Sequence, residues 1–402
     1  MSQSQKPVLL VIEDADTTNW YELCREYADE FTVEQSRWNK IELVSYGDSK
    51  GANVTLYECE NSKIPQQQTR RYITPSLVLI RNVCHTVSSS LDQVPDYRNL
   101  LYGFVHSCTP MINGFISTIS DLERPIMHGL LRSIESKVGH ETFPLITQYY
   151  YPDHQQMMIH PDVPFVLKIS FPHAGYGKIL VRDNHDFPDL ASIVSIHKDY
   201  CVAEPFIDSS YELRIVFIAP NHYRAYKRVG TQWKVNFGPC IIEDIDMTPR
   251  WKKWVDLIFE SYPDMETFAI DAIVDKEGKE YILEVNGSSH GLVPDHFEED
   301  TNHLKDLVVS RIREIIGKKN ESSKKVEDES DADTKIINLS NKIEEMEVKI
   351  KNKDNEIKRY KDIIIQYRNL EKEDKMDQLK IVMLIAFFAI LAIVFIILYF
   401  RK

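Results

Sequence analysis

Over the first 110 residues, short apolar runs alternate with stretches of helical spacing. Pro7–Ile12, Lys40–Tyr46, Val54–Glu58 and Leu77–Val83 read as strands, and Thr17–Glu30 carries apolar residues at the spacing of a helix. This alternation predicts an α/β domain over 1–110. From 111 to 316 the pattern is mixed. Helices are predicted at Pro125–Val138, Pro188–His197, Arg250–Tyr262 and His303–Ile316. Strands are predicted at Phe165–Ile169, Lys178–Arg182, Cys201–Pro205, Leu213–Ala219, His222–Arg228, Thr267–Val274 and Tyr281–Asn286. Residues 317–335 then offer almost nothing to bury and read as a solvated linker.

A seven-residue period follows over 336–371. Ile336, Ile343, Ile350, Ile357 and Ile364 take position a, and Leu339, Met346, Lys353, Tyr360 and Tyr367 take position d. This is a coiled-coil seam, with Lys353 reducing stability and fixing register. In a parallel pair each g residue faces the e residue five places on. Lys342–Glu347, Lys349–Asp354 and Glu356–Lys361 are all opposite in sign, so parallel self-association is expected. Finally, Ile381–Phe400 holds no charge, Gly or Pro. At about 1.5 Å per residue such a helix is about 30 Å long, the thickness of a bilayer core. With two residues after it, the segment is expected to be a tail anchor that leaves the rest of the chain on the cytosolic face of a membrane. Secretory-pathway or synaptic-type vesicles are favoured, with the mitochondrial outer membrane as runner-up.

Composition narrows the reading. In 402 residues the hydrophobic share is 43%, enough for real cores, which excludes wholesale disorder. The net charge of −13 argues against nucleic acid as the main partner. Six cysteines form no C-x-x-C pair, so neither a disulfide framework nor a cysteine zinc site is expected.

Four segments carry candidate chemistry. In Phe268–Asn286 two apolar strands flank a turn at Asp275–Gly278, which brings Asp271 opposite or nearly opposite Glu284. Asn286 lies two residues on and shares the face of Glu284. Two carboxylates and an amide oxygen among apolar neighbours repel one another unless a cation joins them, and this donor set suits Mg²⁺ or Ca²⁺. Lys168 ends an apolar strand before a loop holding His173, Gly175, Gly177 and Lys178. Here the glycines admit phosphate oxygens to backbone N–H groups, although the segment alone reads better as a plain turn. Glu204 and Ile207, in Cys201–Asp208, either face an adenine edge or belong to ordinary core. Arg214, Lys227 and Arg228 alternate with apolar residues and either serve phosphate charge or form a solvated basic face.

Taken in order, these segments resemble the ATP-grasp superfamily and, more closely, the synapsin family. The closer likeness rests on Val11-Ile12-Glu13-Asp14, Leu79-Ile80-Arg81, Phe143-Pro144-Leu145-Ile146, Tyr151-Pro152-Asp153-His154, His173 to Lys178, Ala203 to Asp208 and Gly287-Ser288-Ser289. It covers about residues 7–316. It implies a Rossmann-like pre-ATP-grasp domain followed by an ATP-grasp domain over 111–316, with ATP held between two β-layers. By position, Lys168 is implied to contact phosphate, Glu204 and Ile207 adenine, and Asp271 and Glu284 a Mg²⁺ or Ca²⁺ ion. Arg124 stands where the family tends to have lysine, and the two cations are not interchangeable. Asn286 replaces a residue that is apolar in synapsins and Asn in catalytic ATP-grasp ligases. The phosphorylated N-terminal segment and Pro-rich tails of animal synapsins find no counterpart in these residues, and a linker, a coiled coil and an anchor are expected in their place. Two functions follow as expectations. One is an ATP-binding tether of vesicles, with actin, vesicle lipid or further copies of the chain as partners. The other is a carboxylate–amine or carboxylate–thiol ligase using Arg214 and Arg228 at an acyl phosphate.

Overall fold

The structure, a computed structural model, describes residues 6–14, 16–47, 51–57, 70–84, 96–169, 177–197, 199–230, 232–235, 238–318, 349, 351, 353, 355, 357–365 and 382–392. The strands are β1 (Val8–Ile12), β2 (Thr32–Ser36), β3 (Ile41–Ser45), β4 (Ala52–Tyr57), β5 (Arg70–Ile73), β6 (Leu77–Ile80), β7 (Met111–Ile112), β8 (Tyr149–Tyr151), β9 (Phe165–Ile169), β10 (Lys178–Val181), β11 (Cys201–Pro205), β12 (Ser209–Ile218), β13 (His222–Gly230), β14 (Cys240–Ile245), β15 (Thr267–Asp275) and β16 (Glu280–Asn286). The helices are α1 (Trp20–Leu23), α2 (Arg98–His106), α3 (Phe115–Leu122), α4 (Arg124–Val138), α5 (Phe187–His197), α6 (Pro249–Ser261) and α7 over 297–318.

A parallel sheet, ordered β2-β1-β6-β7, opens the chain, with an antiparallel flap β3-β4-β5 beside it. Both faces of β1 and β6 are covered, as parallel strands require, and this is why they read as unbroken apolar runs. Their alternate residues serve different cores. Leu9, Val11, Leu77 and Leu79 join the large core shared with β12 and β15, and Leu10, Ile12, Val78 and Ile80 join a second core with Trp38 and Phe104. Two antiparallel sheets follow, β10-β9-β11-β8 and β14-β13-β12-β15-β16. The first packs α5 against Phe165 and Leu167, and the second packs α6 through Trp254 and Ile258.

The chain divides into two compact units, 1–317 and 318–402. In the second unit, 357–365 and 382–392 are helical. The remainder of the heptad segment, apart from 349, 351, 353 and 355, lies outside the described residues, as does the rest of 381–400. Among the described residues no helix is long and apolar enough to cross a membrane.

Several predicted elements change. Thr17–Glu30 is not one helix: α1 ends at Leu23 and a 3₁₀ turn takes Arg25–Tyr27. The chain must bend back into β2 by Thr32, and the turn stacks the Tyr27 and Phe31 rings at 6.1 Å. Helix α7 begins at 297, six residues before the predicted start. Its first turn is Phe297-Glu-Glu-Asp300, whose acids suit a helix N-terminus but lack apolar periodicity.

Candidate functional site

The register of the β15–β16 ribbon decides the site. Near the turn, Val274 pairs with Glu280 and Ala272 with Ile282, a register that would set Asp271 against Leu283. A bulge at Leu283 shifts the pairing, so Asp271 faces Glu284 and Ala269 faces Asn286. The extra residue turns the polar pair to the face of Asp271. Asn286 Nδ2 donates to Asp271 Oδ2 at 2.9 Å, which leaves its Oδ1 as an oxygen donor.

Asp271, Glu212 and Glu284 are each matched by a cation. Arg214, paired with Asp271 across β12 and β15, donates from Nη1 to both carboxylate oxygens at 3.0 Å. Arg228 reaches Asp271 Oδ1 and Glu212 Oε2, each at 3.1 Å. Arg124, opening α4, forms a close ion pair with Glu284. Burial pushes the Glu284 carboxyl up, but Arg124, Lys178 and Lys168 overcome it and hold the group well below the usual carboxylate range. Burial raises Asp121 to about 6, against the hydrogen bond from Gly287 N at 2.9 Å. A Cβ at Gly287 would meet Asp121 Oδ2 at 2.7 Å, so glycine is needed for that approach.

The facing wall is β9 and β11. Lys168 Nζ lies 2.5 Å from Glu204 Oε2, and both side chains are buried. Gln148 Nε2 donates to Glu204 Oε1 at 2.6 Å. Burial lowers the lysine pKa against the pull of Glu204. Lys178 sits across the ladder from Lys168. Between the walls lies a cleft of about 280 Å³ lined by Lys168, Lys178, Glu204, Ile207, Glu212 and Arg228, with Phe206 and Trp233 at 6.4 Å edge to face. A smaller recess of about 40 Å³ continues to Asp121, Arg124, Glu284 and Asn286, and Leu283 lines both.

The structure therefore brings together Arg124, Lys168, Lys178, Glu204, Ile207, Arg214, Arg228, Asp271, Glu284 and Asn286. Lys227 does not join them. It projects from the opposite face of β13 to Arg228 and pairs with Glu243 at 2.6 Å. Gly177 closes its turn at φ +61°, whereas His173 and Gly175 lie outside the described residues. Sequence reasoning missed Asp121, Gln148 and Glu212. Only Glu212 left a signal: it sits two residues before Arg214 on the same strand face.

The residues fit a nucleotide phosphate and a divalent ion. Arg214 Nε is buried with no hydrogen-bond partner among the described residues, a donor awaiting an acceptor. The oxygen set of Asp271, Glu284 and Asn286 suits Mg²⁺ or Ca²⁺.

The two antiparallel sheets enclosing this cleft define an ATP-grasp fold. The structure is similar to D-alanyl-alanine synthetase A from Vibrio cholerae (TM-score 0.51, 11% identity, 77% of this chain and 99% of that one). It is also similar to the macrocyclase MdnC of Microcystis aeruginosa (TM-score 0.50, 14% identity, 75% and 99%). At these identities the likeness is one of fold alone. The sequence goes further. The model described as the synapsin pre-ATP-grasp domain matches residues 2–111, and that described as the synapsin ATP-binding domain matches 113–314. Synapsin of Drosophila melanogaster is 30% identical over 316 residues, which are 76% of this chain and 30% of that protein. The chain belongs to the synapsin family and carries its ATP-binding domain. The match spans less than a third of the length of that relative.

Proposed function

We propose that this protein is an ATP-binding tether that holds and clusters cytosol-facing membranes under nucleotide and divalent-metal control. The observation that carries the reading is the meeting of Lys168 and Arg228 with Glu284 and Asn286 on the walls of one cleft and its recess, with Asp271 bonded to both Arg228 and Asn286 behind them. Asp271, Glu284 and Asn286 would hold Mg²⁺ or Ca²⁺, which neutralises phosphate charge when bound. The guanidiniums of Arg124, Arg214 and Arg228, now on those carboxylates, would then be released to phosphate oxygens. Ile207 and Glu204 would frame the base. Such an exchange of partners couples the second sheet and α4 to the state of the nucleotide.

The apolar run 381–400 supports a membrane anchor, and the heptads of 336–371 support parallel self-association that raises the local concentration of heads. Secretory or synaptic-type vesicles are the favoured address. Vesicle lipid, actin and further copies of the chain are the candidate partners. The full chain is expected to sediment with membranes, and deletion of 381–400 to move it to the supernatant. Continued pelleting of the truncation would overturn the anchor.

One observation favours ligase chemistry instead. Asn286 completes the donor set next to Arg214 and Arg228, groups placed to stabilise charge on an acyl phosphate. Sustained ADP release from Mg·ATP with pooled amino acids or peptides is the expected outcome of that reading. Binding without turnover is the outcome expected of the tether.

A further inference from the structure

At the far end of β13 from Arg228, six residues or about 20 Å along the strand, lies a cluster that the nucleotide cleft does not use. His222 opens β13, and α7 brings Glu299, Asp300 and His303 to it. Glu299 and His303 are four residues apart and share a helix face. His222, Glu299 and His303 each place a ligand atom within 4.8 Å of the others. The imidazoles of His222 and His303 stack with centroids 3.9 Å apart.

The surroundings point to a ligand. The side chain of Asp300 is fully buried, at 0% exposure. Its Oδ1 lies 2.7 Å from His222 Nε2 and accepts from Arg224 Nε at 3.0 Å, while Oδ2 has no hydrogen-bond partner among the described residues. A buried carboxylate on one ring nitrogen fixes the tautomer and turns the other nitrogen outward, as in the carboxylate–histidine pairs behind metal ligands.

We infer that His222, His303 and Glu299 form a transition-metal site of the Zn²⁺ class, oriented by Asp300. Two imidazole nitrogens and one carboxylate oxygen are a borderline-soft set that suits Zn²⁺, with water in the fourth position. Mg²⁺ and Ca²⁺ prefer oxygen throughout, so this site is chemically distinct from the cleft. With both imidazoles neutral, Glu299, Asp300 and Arg224 sum to one negative charge, which a divalent ion offsets. Arg224 Nη2 holds Glu299 Oε2 at 2.7 Å, and His296 Nδ1 stands 3.8 Å from the same oxygen, so Oε1 is the ligating atom. Ligand atoms on one tetrahedral ion lie about 3.4 Å apart, so the stacked rings must splay. None of the three side chains is fully buried, and Glu299 is 58% exposed. The bound ion would clamp β13 to α7, the last helix of the first unit.

The test is a Co²⁺ titration of the full-length protein in detergent, with Mg²⁺ in excess to fill oxygen-donor sites. The expected result is one equivalent of Co²⁺ with the intense visible bands of a four-coordinate, imidazole-bound ion, displaced by Zn²⁺. His303→Ala and Glu299→Gln should each weaken binding about tenfold or more. Glu299→Gln alters an exposed side chain and keeps the helix, so the test does not depend on the histidine variant folding. A weak octahedral spectrum in the unaltered protein, or an unchanged titration in both variants, would overturn the site.

Discussion

Replacing Lys168 with alanine is expected to abolish Mg·ATP binding in calorimetry and to cost the fold about 3–5 kcal/mol. Both effects follow from one geometry. Lys168 and Glu204 are buried 2.5 Å apart, so removing the ammonium strands a buried carboxylate that otherwise accepts from Gln148. It also removes a cation from the wall that would face the nucleotide's phosphates. The two effects separate in the double variant Lys168→Met with Glu204→Gln, which leaves no unpaired charge. That variant should regain most of the stability in urea titrations and none of the nucleotide affinity. Glu284→Gln should likewise abolish Mg·ATP binding, because it removes a metal donor and the partner of Arg124. Unchanged affinity in both Lys168→Ala and Glu284→Gln would refute the site.

Arg81→Ala is the second large effect, expected at about 3–5 kcal/mol by urea unfolding. Arg81 follows β6 at the end of the parallel sheet. Its guanidinium donates to the carbonyl oxygens of Ser288 and His290, the latter at 3.0 Å, and its Nε lies 3.8 Å from Glu13 Oε1. Both Glu13 and Arg81 are buried. Truncation strands Glu13, which keeps its hydrogen bond from Trp20 Nε1 at 2.5 Å, and frees the loop that follows Asn286. A fall in Mg·ATP affinity should accompany the loss of stability, since Gly287 in that loop braces Asp121. An unfolding midpoint equal to that of the unaltered protein would show that the contact carries nothing.

What could be read from the residues depends on how each segment is buried. β9 and β11 appear with the predicted bounds because their runs are apolar and covered. β14 escapes, since it is an edge strand whose Ile241 is 62% exposed and whose sequence, Cys-Ile-Ile-Glu-Asp-Ile, has no period of two. β2 escapes because only Ser36 among its five residues is buried. The convergence of Asp271, Glu284 and Asn286 was legible from the hairpin count, but the bulge that makes it was not. Lys227 reads with Arg214 and Arg228 as cations alternating with apolar residues, yet adjacent residues on a strand point to opposite faces, so Lys227 and Arg228 part. The His222–His303 cluster joins residues 81 positions apart, and no spacing rule connects them.

The bulge at Leu283 also bears on how this chemistry is inherited. Were the codon for Leu283 lost, the ladder would run straight and Glu284 would still oppose Asp271; were the bulge flattened with every residue kept, Leu283 would take that place and Glu284 and Asn286 would turn to the reverse side of the ribbon. A relative can thus keep all the letters of the motif and lose its ion. Comparing homologues by residue identity, or by the count between Asp271 and Asn286, would miss the change, whereas the pairing register of the ribbon would show it.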